Sequence, residues 1–374
     1  MNRKASLHLE FNPNSHNTNT DKRLQQGLSA VVQIGDALWV ANDETTTLES
    51  LSPDKPHSSG WHTYSKHRQF SLRDYIELPM SRLSDRKKNK IFEEEGQISE
   101  ELDIEGLDYR DGYLWLVGSH SWGRRKLDKS DGMDELAVEL TVSNRFMLAR
   151  IPVSDGELAK NISQDDRLWS AAQLLGDHAA NELTEALKND KHFAKFLCIP
   201  GKDNGFNIEG LAVIGQRIFV GLRSPILRGW ASILELEVEE NSLSILRLKK
   251  IGPDDRAYRK HFLQLGNLGV RDLCIQGHDL LILAGPSIAL DGPVFIFRWA
   301  GGANPYGENI IFEDALEKVI EIPHGHGNDH AEGITLFAPH GGDHTHILVV
   351  YDDASEHRQK RPNSLKVDIF RLSK

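Results

Sequence analysis

The sequence predicts an all-β propeller on three observations: a hairpin pattern repeated five times, further strand candidates after each copy, and a spare strand near the N-terminus. The five copies span residues 28–43, 104–119, 208–222, 270–285 and 331–352. Each has a short strand opening at an acidic-Gly-Leu-like step, a tight turn, then a strongly apolar strand ending in small or polar residues. Turn pieces such as Gly35-Asp36, Asp111-Gly112 and Gly277-His278 tolerate the backbone angles of a short hairpin.

The strand candidates after each hairpin fill out four-stranded blades. They are residues 47–52 and 69–79 in the first copy, 145–152 and 194–200 in the second, 231–238 and 244–251 in the third, and 293–299 and 318–323 in the fourth. The last copy offers only residues 365–372. Residues 6–11 (SLHLEF) are the expected fourth strand there, closing the ring and removing exposed edges. The expectation is five blades in one domain over residues 1–374, with a sixth hidden in the long second repeat as the competing count. That repeat carries an insertion over residues 154–191. Leu168, Leu174, Leu175, Leu183 and Leu187 have helical spacing, which predicts an amphipathic helix on the blade's flank or, alternatively, a cap over the channel mouth.

Composition supports a folded chain: 39% hydrophobic and 26% charged residues among 374, with 31 glycines for frequent turns. A formal charge of −11 repels nucleic-acid phosphates and anionic membranes, so neither partner is expected. The basic run at residues 86–90 reads as a solvated loop. Cys198 and Cys274 sit in apolar runs, and buried free thiols are the expected state. No stretch suits a signal peptide or a membrane span, and the expected location is cytoplasmic.

Propeller geometry sorts the polar residues. Loops entering each innermost strand, and those joining second strands to third, share one face. The acidic strand starts Glu105, Glu209, Asp272 and Glu332 belong there, with Ser29 at the matching place in the first copy. Around them fall Asp43, His120, Lys202, Asn204, Arg223, Arg228, Arg271, the histidines of the segment PHGHGNDH, and Asp352-Asp353. Two readings compete for the carboxylates. They hold Ca²⁺ or another divalent cation that assists hydrolysis, or each accepts backbone N–H bonds from the next blade. Arg223, Arg228 and Arg271, with His120, Lys202 and Asn204, suit an anionic substrate, while ion pairing with the acids is the competing role for the arginines. His340, His344 and His346 belong to the opposite face, where their spacing suits adventitious transition-metal binding.

The ordered series IEGLDYRDGYLWLVGSHS, PGKDNGFNIEGLAV, GLRSPILRGWA, YRKHFLQLGNLGVRDL, LILAGP, LDGPV and HAEGI resembles the bacterial family called domain of unknown function 3616, from about Leu28 to the C-terminus. The Glu-Gly-Leu starts are similar to the Glu-Gly-Pro start of calcium-dependent lactonase propellers and to phytase-like esterase propellers. That likeness implies a metal-binding glutamate at Glu105, Glu209 or Glu332, although the proline is absent here. The expected function is a metal-assisted hydrolase of an ester, lactone or phosphoester, with Glu105, Glu209 and Glu332 catalytic and Glu105, Glu209, Asp272 and Glu332 on the metal. The alternative is a non-catalytic propeller binding a protein or small anionic ligand at the same face.

Overall fold

The computed structural model describes residues 4–13, 24–54, 63–78, 102–124, 132–134, 139–140, 144–164, 167–242, 244–288, 291–338, 344–359, 361 and 363–372. The basic run at 86–90 and His340 lie outside them.

The chain is all-β and propeller-like, built from antiparallel meanders. The first comprises Leu28–Ile34, Ala37–Asn42, Thr47–Pro53 and Thr63–Ser71, and the second Ile104–Arg110, Tyr113–Gly118, Leu148–Ser154 and Ala172–Leu174. The third runs through Asn207–Ile214, Arg217–Leu227 and the long Trp230–Ser242, whose outer edge is shared by Ile245–Leu248 and Arg259–Leu263. Gly269–Gln276, Asp279–Gly285, Val294–Trp299 and Leu316–Ile322 form the fourth. His330–Phe337, His346–Asp352 and Ser364–Arg371 form the fifth, and Lys4–Glu10 pairs antiparallel with Ser364–Arg371 to complete it. The same N-terminal strand touches Thr63–Ser71 in parallel, joining the last meander to the first.

Successive inner strands pack side by side, and that of the fifth meander returns to that of the first. Apolar residues lie on both faces of these strands, as sheets buried on both sides require. Each of five apolar clusters is sandwiched between neighbouring meanders: Trp39 and Leu116 in one, Val220 and Leu148 in the next, then Phe219 with Ile282, Ile296 with Ile347, and Leu9 with Val40. The inner strands approach so closely that a Cβ on Gly106 would stand 2.6 Å from the Leu211 Cβ. This explains the glycine after the glutamate in that strand.

The helix expected over the insertion is largely strand. Asn161–Gln164 and Arg167–Ser170 form a hairpin, and Ala172–Leu174 is the fourth strand of the second meander. The helix is confined to Glu182–Leu187, capped by Asn181, whose side chain accepts from Leu183 and Thr184 N–H while Thr184 Oγ1 accepts from Asn181 N–H. Helical periodicity breaks at Gly176, where the chain folds back so tightly that a Cβ would meet the Asn181 Cβ at 2.5 Å. Leu168 is therefore exposed, and only Leu183 and Leu187 use the helical spacing to reach the core. Residues 194–200, expected as a strand, form a 3-10 turn and loop, which leaves Cys198 exposed; Cys274 is half-buried, and both thiols are free.

Candidate functional site at the channel mouth

Every inner strand slips register near its start, and that of the third meander slips a second time, between Asn207 and Ile208. The slips fall between Leu28 and Ala30, Ile104 and Gly106, Ile208 and Gly210, Val270 and Asp272, and Ala331 and Gly333. The residue left out of the ladder is Ser29, Glu105, Glu209, Arg271 or Glu332. Such bulges re-aim a side chain, and here they give each meander one equivalent polar position.

This register corrects the expectation for the fourth repeat: Arg271, not Asp272, holds the equivalent place. Asp272 is buried, with its carboxylate accepting from Leu273 N–H at 2.7 Å and Ile334 N–H at 2.7 Å on the neighbouring inner strand. Burial pushes its pKa well up, and those N–H bonds oppose the rise. Asp108 does the same between the second and third meanders, accepting from Tyr109 N–H at 2.8 Å and Val213 N–H at 2.6 Å. The backbone-bracing role therefore belongs to these two aspartates.

The bulge residues form a charged network. Arg271 Nη1 donates to Glu209 Oε2 at 3.1 Å and to Glu332 Oε1 at 2.7 Å. Arg223, within the second strand of the third meander, donates through Nη1 to Glu209 Oε1 at 2.6 Å and through Nε to Ser287 O at 3.2 Å. Both oxygens of Glu209 are thus held by guanidinium groups, and the carboxylates beside Arg223 raise its pKa against burial. Ser29 turns away, donating to Ile104 O at 2.5 Å.

Glu105 differs. It accepts no hydrogen bond among the described residues, and burial followed by Asp103, Glu209, Glu332 and Asp43 pushes its carboxyl well above the usual range. Asp43 is raised similarly, by burial and then by Asp352, Asp103, Glu332 and Glu44. Glu332 is raised by burial and Asp352, with Arg271 opposing. Asp103 has a cation beside it, Arg145 Nε at 3.2 Å, and the Ser119 hydroxyl. The mouth is therefore two-sided: guanidinium groups on Glu209 and Glu332, and carboxyls crowded around Glu105.

The other expected contacts lie apart from this network. His120 is buried with Nδ1 on Gly118 O at 2.8 Å and Nε2 on Asn181 Nδ2 at 2.6 Å. Burial lowers its pKa to about 4, so the ring is neutral and pins the helix cap. Asn204 has left-handed backbone (φ +65°) and accepts from Ile226 N–H at 3.4 Å. Lys202 is exposed, as is Arg228 in the turn after Arg217–Leu227. Asp103 and Arg145 were not singled out by sequence; the one legible signal was Asp103's place two residues before the bulge glutamate.

The lactonase likeness would put a cation on the repeated glutamates. Among the described residues, only one set of three His, Cys, Asp or Glu side chains brings a ligand atom each within 4.8 Å of the others, and it contains no bulge carboxylate. With Glu209 occupied and Asp272 braced by N–H groups, the four expected ligands do not fit one ion. No helix among the described residues is long and apolar enough to cross a membrane.

The family model DUF3616, protein of unknown function, matches residues 27–368. No curated protein matches the sequence. Similar solved structures include a streptogramin B lyase (7% identity over 100% of this chain and 98% of the other, TM-score 0.33). A Myxococcus xanthus glutaminyl cyclase matches at 10% over 99% and 98%, TM-score 0.37. The PQQ-bound aldose sugar dehydrogenase of Streptomyces coelicolor matches at 10% over 93% and 95%, TM-score 0.34. Scores this low carry none of those chemistries over to this chain.

Proposed function

The chain belongs to the DUF3616 family of proteins of unknown function, and for this member we propose a five-bladed propeller whose channel mouth binds a small anionic ester, lactone or phosphoester and hydrolyses it. The observation that supports this is Glu105, a carboxyl without a hydrogen-bond donor at a mouth that also presents two guanidinium groups. Arg223 and Arg271 would hold the anionic group, since paired guanidiniums match carboxylate and phosphate geometry. Glu105, whose hold on its proton is strengthened by burial and by its acidic neighbours, would donate that proton to the leaving oxygen as that bond breaks. Water forms the new bond to the acyl or phosphoryl centre and returns a proton to the carboxylate, which restores the starting state. Glu332 stands beside this path; Glu209 serves as the scaffold for both arginines.

The ion pairs that already satisfy Arg223 and Arg271 favour a second reading, a non-catalytic module whose mouth binds a small ligand or protein. One experiment separates them: a panel of carboxylate-bearing esters, lactones and phosphoesters, with the wild type beside Glu105→Gln and Arg271→Ala. Hydrolysis that falls at least 100-fold in Glu105→Gln supports the hydrolase. A melting shift from the same compounds without turnover, lost in Arg271→Ala, supports the module.

A further inference from the structure

A second group of ligand-type side chains lies outside the arginine-braced network. His330 opens the inner strand of the fifth meander and stands directly opposite Asp352, the end of its neighbour, in the ladder. Asp353 follows with left-handed backbone (φ +45°). One ligand atom from each of these three residues lies within 4.8 Å of the other two. His330 Nδ1 is 3.9 Å from Asp353 Oδ2, while its other nitrogen, Nε2, faces Asp291 Oδ1 at 3.7 Å. Asp291 is fixed by Gly327 N–H, which donates to its two oxygens at 2.9 and 3.0 Å. The imidazole therefore has a carboxylate on one edge and turns the other toward Asp353, the arrangement in which metal-ligating histidines are commonly found.

A fourth carboxylate, half-buried, lies close to Gly27, the bridge partner of Asp352. Asp43 Oδ1 is sealed from solvent and has no hydrogen-bond partner among the described residues. It lies 3.0 Å from where a Cβ on Gly27 would be, and Gly27 forms a β-bridge with Asp352. Asp352 is also the nearest in effect of the charges acting on Asp43. A carboxylate oxygen sealed from solvent without a donor, under the influence of Asp352 and other acids, is unfavourable unless a cation joins them.

We propose that His330, Asp352 and Asp353, with Asp43 behind them, bind a divalent first-row transition ion of the Mn²⁺ or Zn²⁺ kind. The imidazole favours such ions over Ca²⁺ or Mg²⁺, which prefer all-oxygen shells. Ligands about 2.1 Å from one ion stand at most ~4.2 Å apart, so the present spread closes with side-chain movements of about half an ångström.

The test is titration of metal-free full-length protein with Mn²⁺, followed by its electron paramagnetic resonance signal, with Zn²⁺ as competitor and no substrate present. The wild type should take up one ion per chain. His330→Ala and Asp353→Asn, both at partly exposed positions, should each weaken uptake at least 10-fold while melting within a few degrees of the wild type. His344→Ala, in the exposed opposite-face cluster, should leave uptake unchanged. Absence of stoichiometric uptake, or uptake that persists in His330→Ala, overturns the proposal. The readout requires no turnover, so its failure is distinct from failure of the hydrolase reading.

Discussion

Asp272 and Glu105 occupy neighbouring positions on equivalent inner strands, one residue out of step, and their surroundings separate two kinds of buried acid. Asp272 stays in the ladder and is answered by backbone N–H groups of its own and the adjoining strand. Glu105 falls at the register slip, leaves the ladder and meets mainly other carboxyls. An acid answered by backbone donors ties strands together. One without donors is costly to keep, and such residues concentrate where ligands bind.

Four substitutions or conditions test that division, beginning with the largest effect. Asp272→Ala removes the acceptor of two buried N–H groups and should cost about 4 kcal/mol in chemical denaturation. Ligand-induced melting shifts should survive in the folded fraction. If the loss were under about 1 kcal/mol, the bracing role would fail. His120 gives the next largest effect. Its folded-state pKa of about 4 lies below the ordinary 6.5, so the folded state binds fewer protons than the unfolded chain. The associated stability is fully present above pH 6.5 and is lost as pH falls toward 4, by about 3 kcal/mol. A denaturation series over that range should flatten in His120→Gln, while hydrolysis or ligand binding at neutral pH stays near wild type.

Glu105→Gln should move stability the other way, raising it by about 1 kcal/mol at neutral pH, because the amide removes the cost of holding protonated a carboxyl that ionises freely in the unfolded chain. The same variant should lose turnover. A destabilised Glu105→Gln protein would place this residue with Asp272 after all. Arg228→Ala, at an exposed turn, should change stability by less than about 0.5 kcal/mol and leave ligand binding unaffected, as read by thermal shift.

The hairpins were legible in sequence because their signals are local: turn glycines at fixed offsets and apolar runs of strand length. The N-terminal strand was legible for a different reason, since the last repeat lacked a fourth strand and residues 6–11 had the right pattern. Arg271 was hidden by its neighbour. The segment VRDL offers an acid one residue after the position where IEGL has one, and only the bulge shows which residue leaves the ladder. His120 was read as a rim residue because nothing in the sequence reveals that Asn181, 61 positions later, meets its ring. The leucines of the insertion misled because Leu168 and Leu174 satisfy a helical count while lying in strands separated from the helix by the Gly176 turn.

The strand Lys4–Glu10 is zipped to Ser364–Arg371, which lies beyond all the other strands in chain order. During synthesis this antiparallel pairing must wait until the strands of all five meanders have emerged, and the loop that the contact closes is long. Folding of the last meander is therefore a late event, and a nascent chain stalled before residue 364 carries an open β-edge that invites association with its neighbours.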